Sequence, residues 1–133
     1  MTIQFSTTVR NARLDVIETT IGAAPKLQLY TGAMPANCAA AATGTLLAEI
    51  TLPSDWESNA ASGQKTILGG PWSVMAAAAG TAGYFRVYDS TGATCHIQGT
   101  VGQGSGDMSF DNATFAVGQT VQVTGFTMTD GNA

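Results

Sequence analysis

Residues 84–101 have the sequence YFRVYDSTGATCHIQGTV, and this stretch determines the fold class. Apolar residues recur at every second position in 84–89 and again in 94–101, which is the period of a β-strand with one buried face. The segment 90–93 between them is rich in turn-forming residues. The pattern therefore predicts a β-hairpin. The residues predicted to face its core side are Phe85, Val87, Cys95, Ile97 and Val101.

The same period of two extends to both sides of the hairpin. Before it, Leu27 and Leu29 alternate with polar neighbours, and a second strand has its predicted inward residues at Leu46, Ala48, Ile50 and Leu52. After it, short strands are predicted around residues 108–110 and 115–117 and over 120–129. In the last of these the apolar phase shifts by one residue across Gly125, which predicts a β-bulge.

Two segments do not follow this period. Ala33–Gly44 has the sequence AMPANCAAAATG, whose turn residues and small side chains predict a loop of about a dozen residues. Ser54–Ala79 contains Trp56, Trp72 and a Gly-Gly-Pro break, so we expect it to be irregular or to form a pair of short edge strands.

A helix is predicted over Thr7–Ile21. Leu14, Ile17 and Ile21 recur at helical spacing, Ser6 to Thr8 offer N-caps, and Gly22 provides the stop. The apolar seam is narrow, so the helix could pack on the domain's own sheet or dock on a neighbouring subunit. Arg10 and Arg13 precede two acids of the same helix, Asp15 and Glu18, with which they could pair.

These elements predict a mainly β chain, an antiparallel β-sandwich or jelly-roll-like domain with one N-terminal α-helix. A length of 133 residues fits a single domain over residues 1–133. Within it, an N-terminal arm and helix occupy about 1–22, and the β-sandwich occupies about 26–130.

The charge balance excludes several classes of partner. Five basic against nine acidic residues give a net charge of −4, which is the wrong sign for binding nucleic acid or an anionic membrane surface. No apolar stretch is long enough to cross a membrane and no secretion signal begins the chain, so we expect a soluble protein made in the cytoplasm. Only 11 % of residues are charged, against about 25 % in ordinary domains, which favours a subunit of an assembly.

The residues that could carry chemistry are few. His96 is the one histidine, and it is predicted on the opposite strand face from Cys95, so a Cys–His pair is not expected and His96 is a solvent-side or interface residue. Cys38 and Cys95 with one histidine do not supply the four ligands of a zinc site, and both cysteines are expected to be reduced. The sequence predicts no catalytic residue, no metal and no cofactor.

An aromatic stripe is the strongest candidate for binding. Tyr84, Arg86 and Tyr88 share the strand face opposite Phe85 and Val87. This stripe is either cross-strand packing on an exposed sheet or a contact patch for a partner. The candidate interface residues are Tyr84, Arg86, Tyr88, His96, Arg10 and Arg13.

Segments along nearly the whole chain resemble a family of small virion proteins of tailed phages and prophages. The resemblance rests on residues 3–6, 10–15, 17–22, 29–38, 44–48, 52–56, 80–88 and 94–101. It implies a non-enzymatic structural part of a phage particle. Size, weak charge and β-sandwich pattern favour a capsid decoration, or cement, protein located on the capsid surface of the virion. Such proteins bind the major capsid protein and copies of themselves, often as trimers.

Two alternatives stay open at this point. One is a phage tail component, whether tube, head-completion or fibre-associated. The other is a free carbohydrate-binding β-sandwich module, in which Trp56, Trp72 or the tyrosine stripe would be the platform on which a sugar stacks.

Overall fold

A computed structural model of the protein describes residues 3–131, which contain one helix and nine strands. In chain order the elements are α1 (Thr7–Ile21), β1 (Lys26–Thr31), β2 (Leu46–Thr51), β3 (Gln64–Thr66), β4 (Ser73–Met75), β5 (Gly80–Tyr88), β6 (Cys95–Gln103), β7 (Met108–Phe110), β8 (Thr114–Phe115) and β9 (Thr120–Thr129). The chain is therefore mainly β with one N-terminal helix, as predicted.

The helix has the predicted bounds. The Ser6 hydroxyl accepts a hydrogen bond from the Val9 backbone N–H at 3.2 Å, and Gly22, at φ 89°, donates its N–H to the Glu18 carbonyl at 2.9 Å. Positive φ at the end of a helix is most easily adopted by glycine, which explains why the helix stops there. Leu14 and Ile21 are buried, so in this chain the narrow seam packs on the chain's own core.

The strands form one sheet in the order β2-β1-β5-β6-β7-β9-β3, with β4 paired to β9 and β8 paired to β5. The sheet is mixed and curls into a half-barrel, which is consistent with a β-sandwich-like fold. The prediction that all pairs are antiparallel is wrong for β6 and β7, which run parallel.

The parallel pair is possible because the chain doubles back within four residues. Gly104 and Gly106 adopt φ of 66° and 81° between the two strands, and such values favour glycine. The Asp107 carboxylate then accepts hydrogen bonds from the Thr100 backbone N–H at 2.9 Å and from its hydroxyl at 3.0 Å. The glycine-rich segment is thus a tight loop held by one carboxylate.

The predicted hairpin is present, with β5 and β6 antiparallel across the 90–93 turn. Its register contains a bulge: Val87 faces Ile97, but Tyr88 faces Cys95, so His96 is the extra residue. A bulge changes which side chains share a face. The prediction that Cys95 lies on the core side with Ile97 is therefore wrong, and Cys95 lies on the face of Tyr88.

A second bulge corrects the predicted pattern of β2. The register between β1 and β2 shifts after Leu29, where Ala48 is its partner, so that Tyr30 pairs with Leu46. Leu47 is consequently fully buried while Leu46 is 40 % exposed, the reverse of the predicted alternation. By contrast, the bulge predicted at Gly125 is confirmed, because the β7–β9 register shifts beside it.

The hydrophobic core includes both tryptophans. Trp56 and Trp72 are 0 % and 2 % exposed, and their ring centroids are 6.3 Å apart. Phe85 meets Phe126 edge to face at 5.5 Å. Segment 54–79 supplies two short strands, β3 and β4, which both pair with β9, in agreement with one of the two predicted alternatives.

In the described part of the chain, no helix has the length and apolar character that crossing a membrane requires.

Replacement of Phe85 by Ala is expected to lower the free energy of unfolding by about 3–5 kcal/mol, because it removes a ring that is 1 % exposed and leaves a cavity against Phe126. Urea denaturation measures the loss. The matched control is Val117→Ala, whose side chain is 70 % exposed and whose change should stay within about 0.5 kcal/mol. Equal effects of the two substitutions would contradict the assignment of Phe85 to the core.

Candidate functional site

The predicted aromatic stripe is not exposed. Tyr84, Arg86 and Tyr88 are 0 %, 2 % and 9 % exposed, although they do lie opposite Phe85 and Val87 on β5. The segment 33–44, which the sequence predicts as a loop, lies over this face of the sheet and covers it. The expectation of a solvent-facing contact stripe at these three residues is therefore wrong.

Arg86 is the centre of the covered face. Its Nε and Nη2 donate to the Gln98 Oε1 at 3.2 and 3.0 Å, and Nη1 donates to the Tyr88 hydroxyl at 3.3 Å. Nη2 also donates to the Asn37 carbonyl of the covering loop at 3.1 Å. The Gln98 Nε2 in turn donates to the Pro35 carbonyl at 2.8 Å. The guanidinium therefore ties β5, β6 and the loop together.

The charge of Arg86 is maintained under the loop. Burial alone would lower its pKa, but the hydrogen bond to Tyr88 and the neighbouring Cys95 and tyrosines raise it, so the net direction is upward. A buried charge is costly unless it is paired or hydrogen-bonded. Because the loop carbonyl of Asn37 is one of the acceptors, removal of the loop would leave a donor without its partner.

Tyr84 fastens the other end of the loop. Its hydroxyl donates to the Thr43 carbonyl at 2.5 Å and accepts from the Thr43 backbone N–H at 2.9 Å. The Tyr84 ring stacks on Tyr30 of β1, with centroids 5.2 Å apart and planes 10° apart. Just before the loop, the backbone of Gly32 passes close to Gly83 of β5. A Cβ on Gly83 would collide with the Gly32 carbonyl oxygen, so this close approach requires glycine at position 83.

Arg10 and Arg13, also predicted as interface residues, bond within the chain. Arg13 Nε lies 3.1 Å from the Asp130 Oδ2, and Arg10 Nη1 donates to the Asp130 carbonyl at 3.1 Å. Arg13 also lies over the Phe5 ring, 5.0 Å from its centroid. The two arginines therefore connect the helix to the residue that follows β9. Their predicted pairing with the acids of their own helix is wrong.

His96 is exposed, as predicted. As the bulge residue of β6 it lines a groove of about 210 Å3 with four residues of the helix, whereas Gln98 lies under the loop. The helix residues of the groove are Val16, Ile17, Thr20 and Ile21. His96 is therefore a predicted interface residue whose side chain lines an open groove against the helix.

The helix acids form a charged cluster that the sequence did not predict. Lys65 is 2 % exposed, and its Nζ lies 3.0 Å from the Asp15 Oδ1 and 3.0 Å from the Glu18 Oε2. The same ammonium donates to the Ser58 carbonyl at 2.7 Å. Asp15 additionally accepts from the Ala60 N–H at 2.9 Å; this bond and the one to Lys65 lower its pKa. The cluster joins α1 to the 57–66 segment.

Glu57 is the fourth ionisable member of this region. It is 1 % exposed, and within residues 3–131 neither of its carboxylate oxygens has a hydrogen-bond partner. Burial raises the pKa of Glu57 to about 8, an effect that Lys65 opposes and Glu18 reinforces. The Glu57 backbone N–H donates to the Glu18 Oε1 at 3.3 Å.

An open cavity of about 400 Å3 adjoins the cluster, and Asp15, Glu18, Asn59 and Lys65 are among the residues that line it. The lysine is already neutralised by two carboxylates of the chain, so the arrangement serves as a structural ion network. Within residues 3–131 no three His, Cys, Asp or Glu side chains are grouped so that they could hold a metal ion. No spacing pattern signals this cluster, because Lys65 and Glu57 fall in the segment without periodicity.

No family model, no curated protein and no solved structure matches this chain.

Because Glu57 is buried, its contribution to the stability of the fold should depend on pH. Between pH of about 4.5 and about 8 the unfolded chain releases a proton that folded Glu57 keeps, so this residue's contribution to stability is complete below pH 4.5 and is lost as the pH rises to 8. Glu57→Gln should therefore raise the free energy of unfolding at pH 8 by about 1–3 kcal/mol and change it little at pH 4. Urea denaturation at the two pH values measures this.

Asp55→Asn is the matched control for Glu57→Gln, because Asp55 is exposed and lies two residues away. As a substitution at an exposed site, it should change the free energy of unfolding by less than about 0.5 kcal/mol at pH 4 and at pH 8. A Glu57→Gln variant that is destabilised equally at pH 4 and pH 8 would contradict a protonated, buried Glu57.

The hydrogen bonds between Tyr84 and the loop should contribute to the stability of the fold. Tyr84→Phe should lower the free energy of unfolding by about 1–3 kcal/mol, because the Thr43 N–H and carbonyl both lose their partner. Thermal denaturation and the exchange rate of the Thr43 amide in this variant are compared with those of Tyr30→Phe, which loses the Tyr30 hydroxyl's bond to the Gln28 Oε1 but keeps the stacked rings and the Thr43 bonds. A Thr43 amide that exchanges equally fast in Tyr30→Phe and in Tyr84→Phe would show that the Tyr84 hydroxyl does not hold the loop.

Proposed function

We propose that this protein is a non-enzymatic structural subunit of a bacteriophage particle, and that it acts as a decoration protein which binds the major capsid protein on the outside of the shell. Two observations support the proposal. One is the resemblance of segments along nearly the whole chain to small phage virion proteins. The other, which carries the structural part of the argument, is an apolar surface at the N-terminal end of the chain.

That surface consists of Ile3, Phe5, Val9 and Val16, which we call the arm-and-helix surface. These side chains are 72 %, 41 %, 42 % and 59 % exposed. Several large apolar side chains exposed on the same helix and the arm before it are candidates for a site of interaction with another protein. The groove that Val16 shares with His96 extends the surface towards β6.

The ion pairs and hydrogen bonds that hold the helix suit a docking role for the arm-and-helix surface. Lys65 holds the helix through Asp15 and Glu18, while Arg10 and Arg13 hold its first turns against Asp130. A surface fixed in this way loses little conformational freedom when it binds, which favours affinity. Weak surface charge also lowers the cost of desolvation at a protein interface.

The residues that would form the sugar-binding platform of a free carbohydrate-binding module are not accessible. Trp56, Trp72, Tyr84 and Tyr88 are all buried, so none of them presents a ring face to a sugar. A tail location is not opposed by any such observation, and the experiment below distinguishes it from the shell.

The test is a cryo-EM reconstruction of particles produced in the host with the wild-type gene or with Val16→Asp. We expect wild-type density on the outer shell that bridges major capsid subunits, with the arm-and-helix surface against the shell. A central contact of this kind contributes about 1–4 kcal/mol, so Val16→Asp should lower occupancy about tenfold or more. Wild-type density in the tail, or none in the particle, would contradict the proposal.

Val117→Asp is the matched control for the particle experiment. Val117 is 70 % exposed, like Val16 it is aliphatic, and it lies beyond β8 instead of on the helix. Both variants should fold with unchanged circular dichroism and melting temperature. Loss of occupancy in Val117→Asp but not in Val16→Asp would place the contact on another surface of the protein.

A further inference from the structure

The two cysteines lie on the covered face of the sheet. Cys38 belongs to the loop and directly follows Asn37, while Cys95 is the first residue of β6 and pairs with Tyr88. Both are half-buried free thiols. They are separated by 56 residues in the sequence, so their arrangement is a product of the fold.

Arg86 brings the two positions together. Its guanidinium donates to the Asn37 carbonyl on the loop side and to the Tyr88 hydroxyl on the strand side. One cysteine is the neighbour of Asn37 in the chain and the other is the cross-strand partner of Tyr88. The Cys38 thiol is also near enough to Cys95 to raise the pKa of the Cys95 thiol, together with the burial of that thiol.

The β6 bulge places Cys95 on the same face of the sheet as the loop. With regular alternation, Cys95 would share the core side with Ile97 and could not reach the loop. The extra residue, His96, turns the Cys95 thiol to the face that the loop covers. The Cys95 Sγ also donates to the Ile97 carbonyl at 3.4 Å, which orients the thiol.

We propose that Cys38 and Cys95 are a reversible dithiol–disulfide pair whose oxidation fastens the 33–44 loop covalently to the sheet. The oxidant is a low-molecular-weight disulfide such as oxidised glutathione. One cysteine thiolate attacks it and releases one reduced thiol, and the second cysteine then displaces the other. Two electrons and two protons leave the protein, one sulfur–sulfur bond forms, and two reduced thiols are released.

The inference does not rest on the proposed function, since it concerns only how the loop is held. Oxidation should stabilise the fold, because a bridge between residues 38 and 95 lowers the conformational entropy of the unfolded chain. Burial raises the pKa of Cys95 to about 12, so the exchange should be slow at neutral pH and faster as the pH rises.

The test uses the purified full chain, first fully reduced and then incubated with oxidised glutathione at pH 8.5. We expect a monomeric product that has lost two hydrogens by intact mass, does not react with iodoacetamide, and melts about 5–15 °C higher than the reduced protein. Peptide mapping should join Cys38 to Cys95, and dithiothreitol should restore both thiols and the original melting temperature.

Cys38→Ser and Cys95→Ser are the controls, and each should end with one stably bound glutathione and no gain in melting temperature. A wild-type protein that accumulates the same stable glutathione adduct would overturn the inference. Disulfide-linked dimers as the main product, or two thiols that both stay reactive after oxidation, would overturn it as well.

Discussion

The burial of one charged side chain on the central strand is the constraint on which the rest of this structure depends. β5 lies between β1 and β6, and its residues 84–88 are buried on both faces. One face contributes Phe85 and Val87 to the hydrophobic core, as any amphipathic strand would. The other carries Arg86, whose guanidinium requires acceptors once water is excluded. The Gln98 side chain and the Asn37 carbonyl supply them, so the 33–44 segment has to lie across the sheet. A loop of small residues thereby acts as the second cover of the sheet.

The parts of the fold that follow from local periodicity were predictable from the sequence. The helix bounds, the hairpin and the bulge at Gly125 depend on side-chain spacing and on caps that lie within a few residues of one another. The bulges in β2 and β6 were not predictable, because a shift of register depends on the partner strand. The cover over Arg86 was also missed: alternation tells which side chains share a face, but not what lies on top of it. The Lys65 cluster joins residues about 50 positions apart in a segment without periodicity, and no spacing rule signals such a contact.

The positions of the predicted interface residues in the structure limit where a partner can bind. The tyrosine stripe is internal, both tryptophans are in the core, and Arg10 and Arg13 are engaged with Asp130. The exposed apolar side chains of the N-terminal arm and helix are then the best supported docking surface. The ion network under the helix gives that surface a fixed position relative to the sheet. Structure and proposed role are thus connected through the helix, while the loop stabilises the opposite face of β5.

Native-state hydrogen exchange measured by NMR at residue resolution tests the central claim, that the 33–44 loop is a fixed cover over β5. The Thr43 amide is the informative probe, because its acceptor is the Tyr84 hydroxyl on the sheet. A fixed cover predicts that Thr43 exchanges about 100-fold or more slowly than an unprotected amide, with slow exchange at the Arg86 Nε as well. Exchange of Thr43 at the unprotected rate, while the β5 amides stay protected, would show that the loop opens freely and would contradict the account.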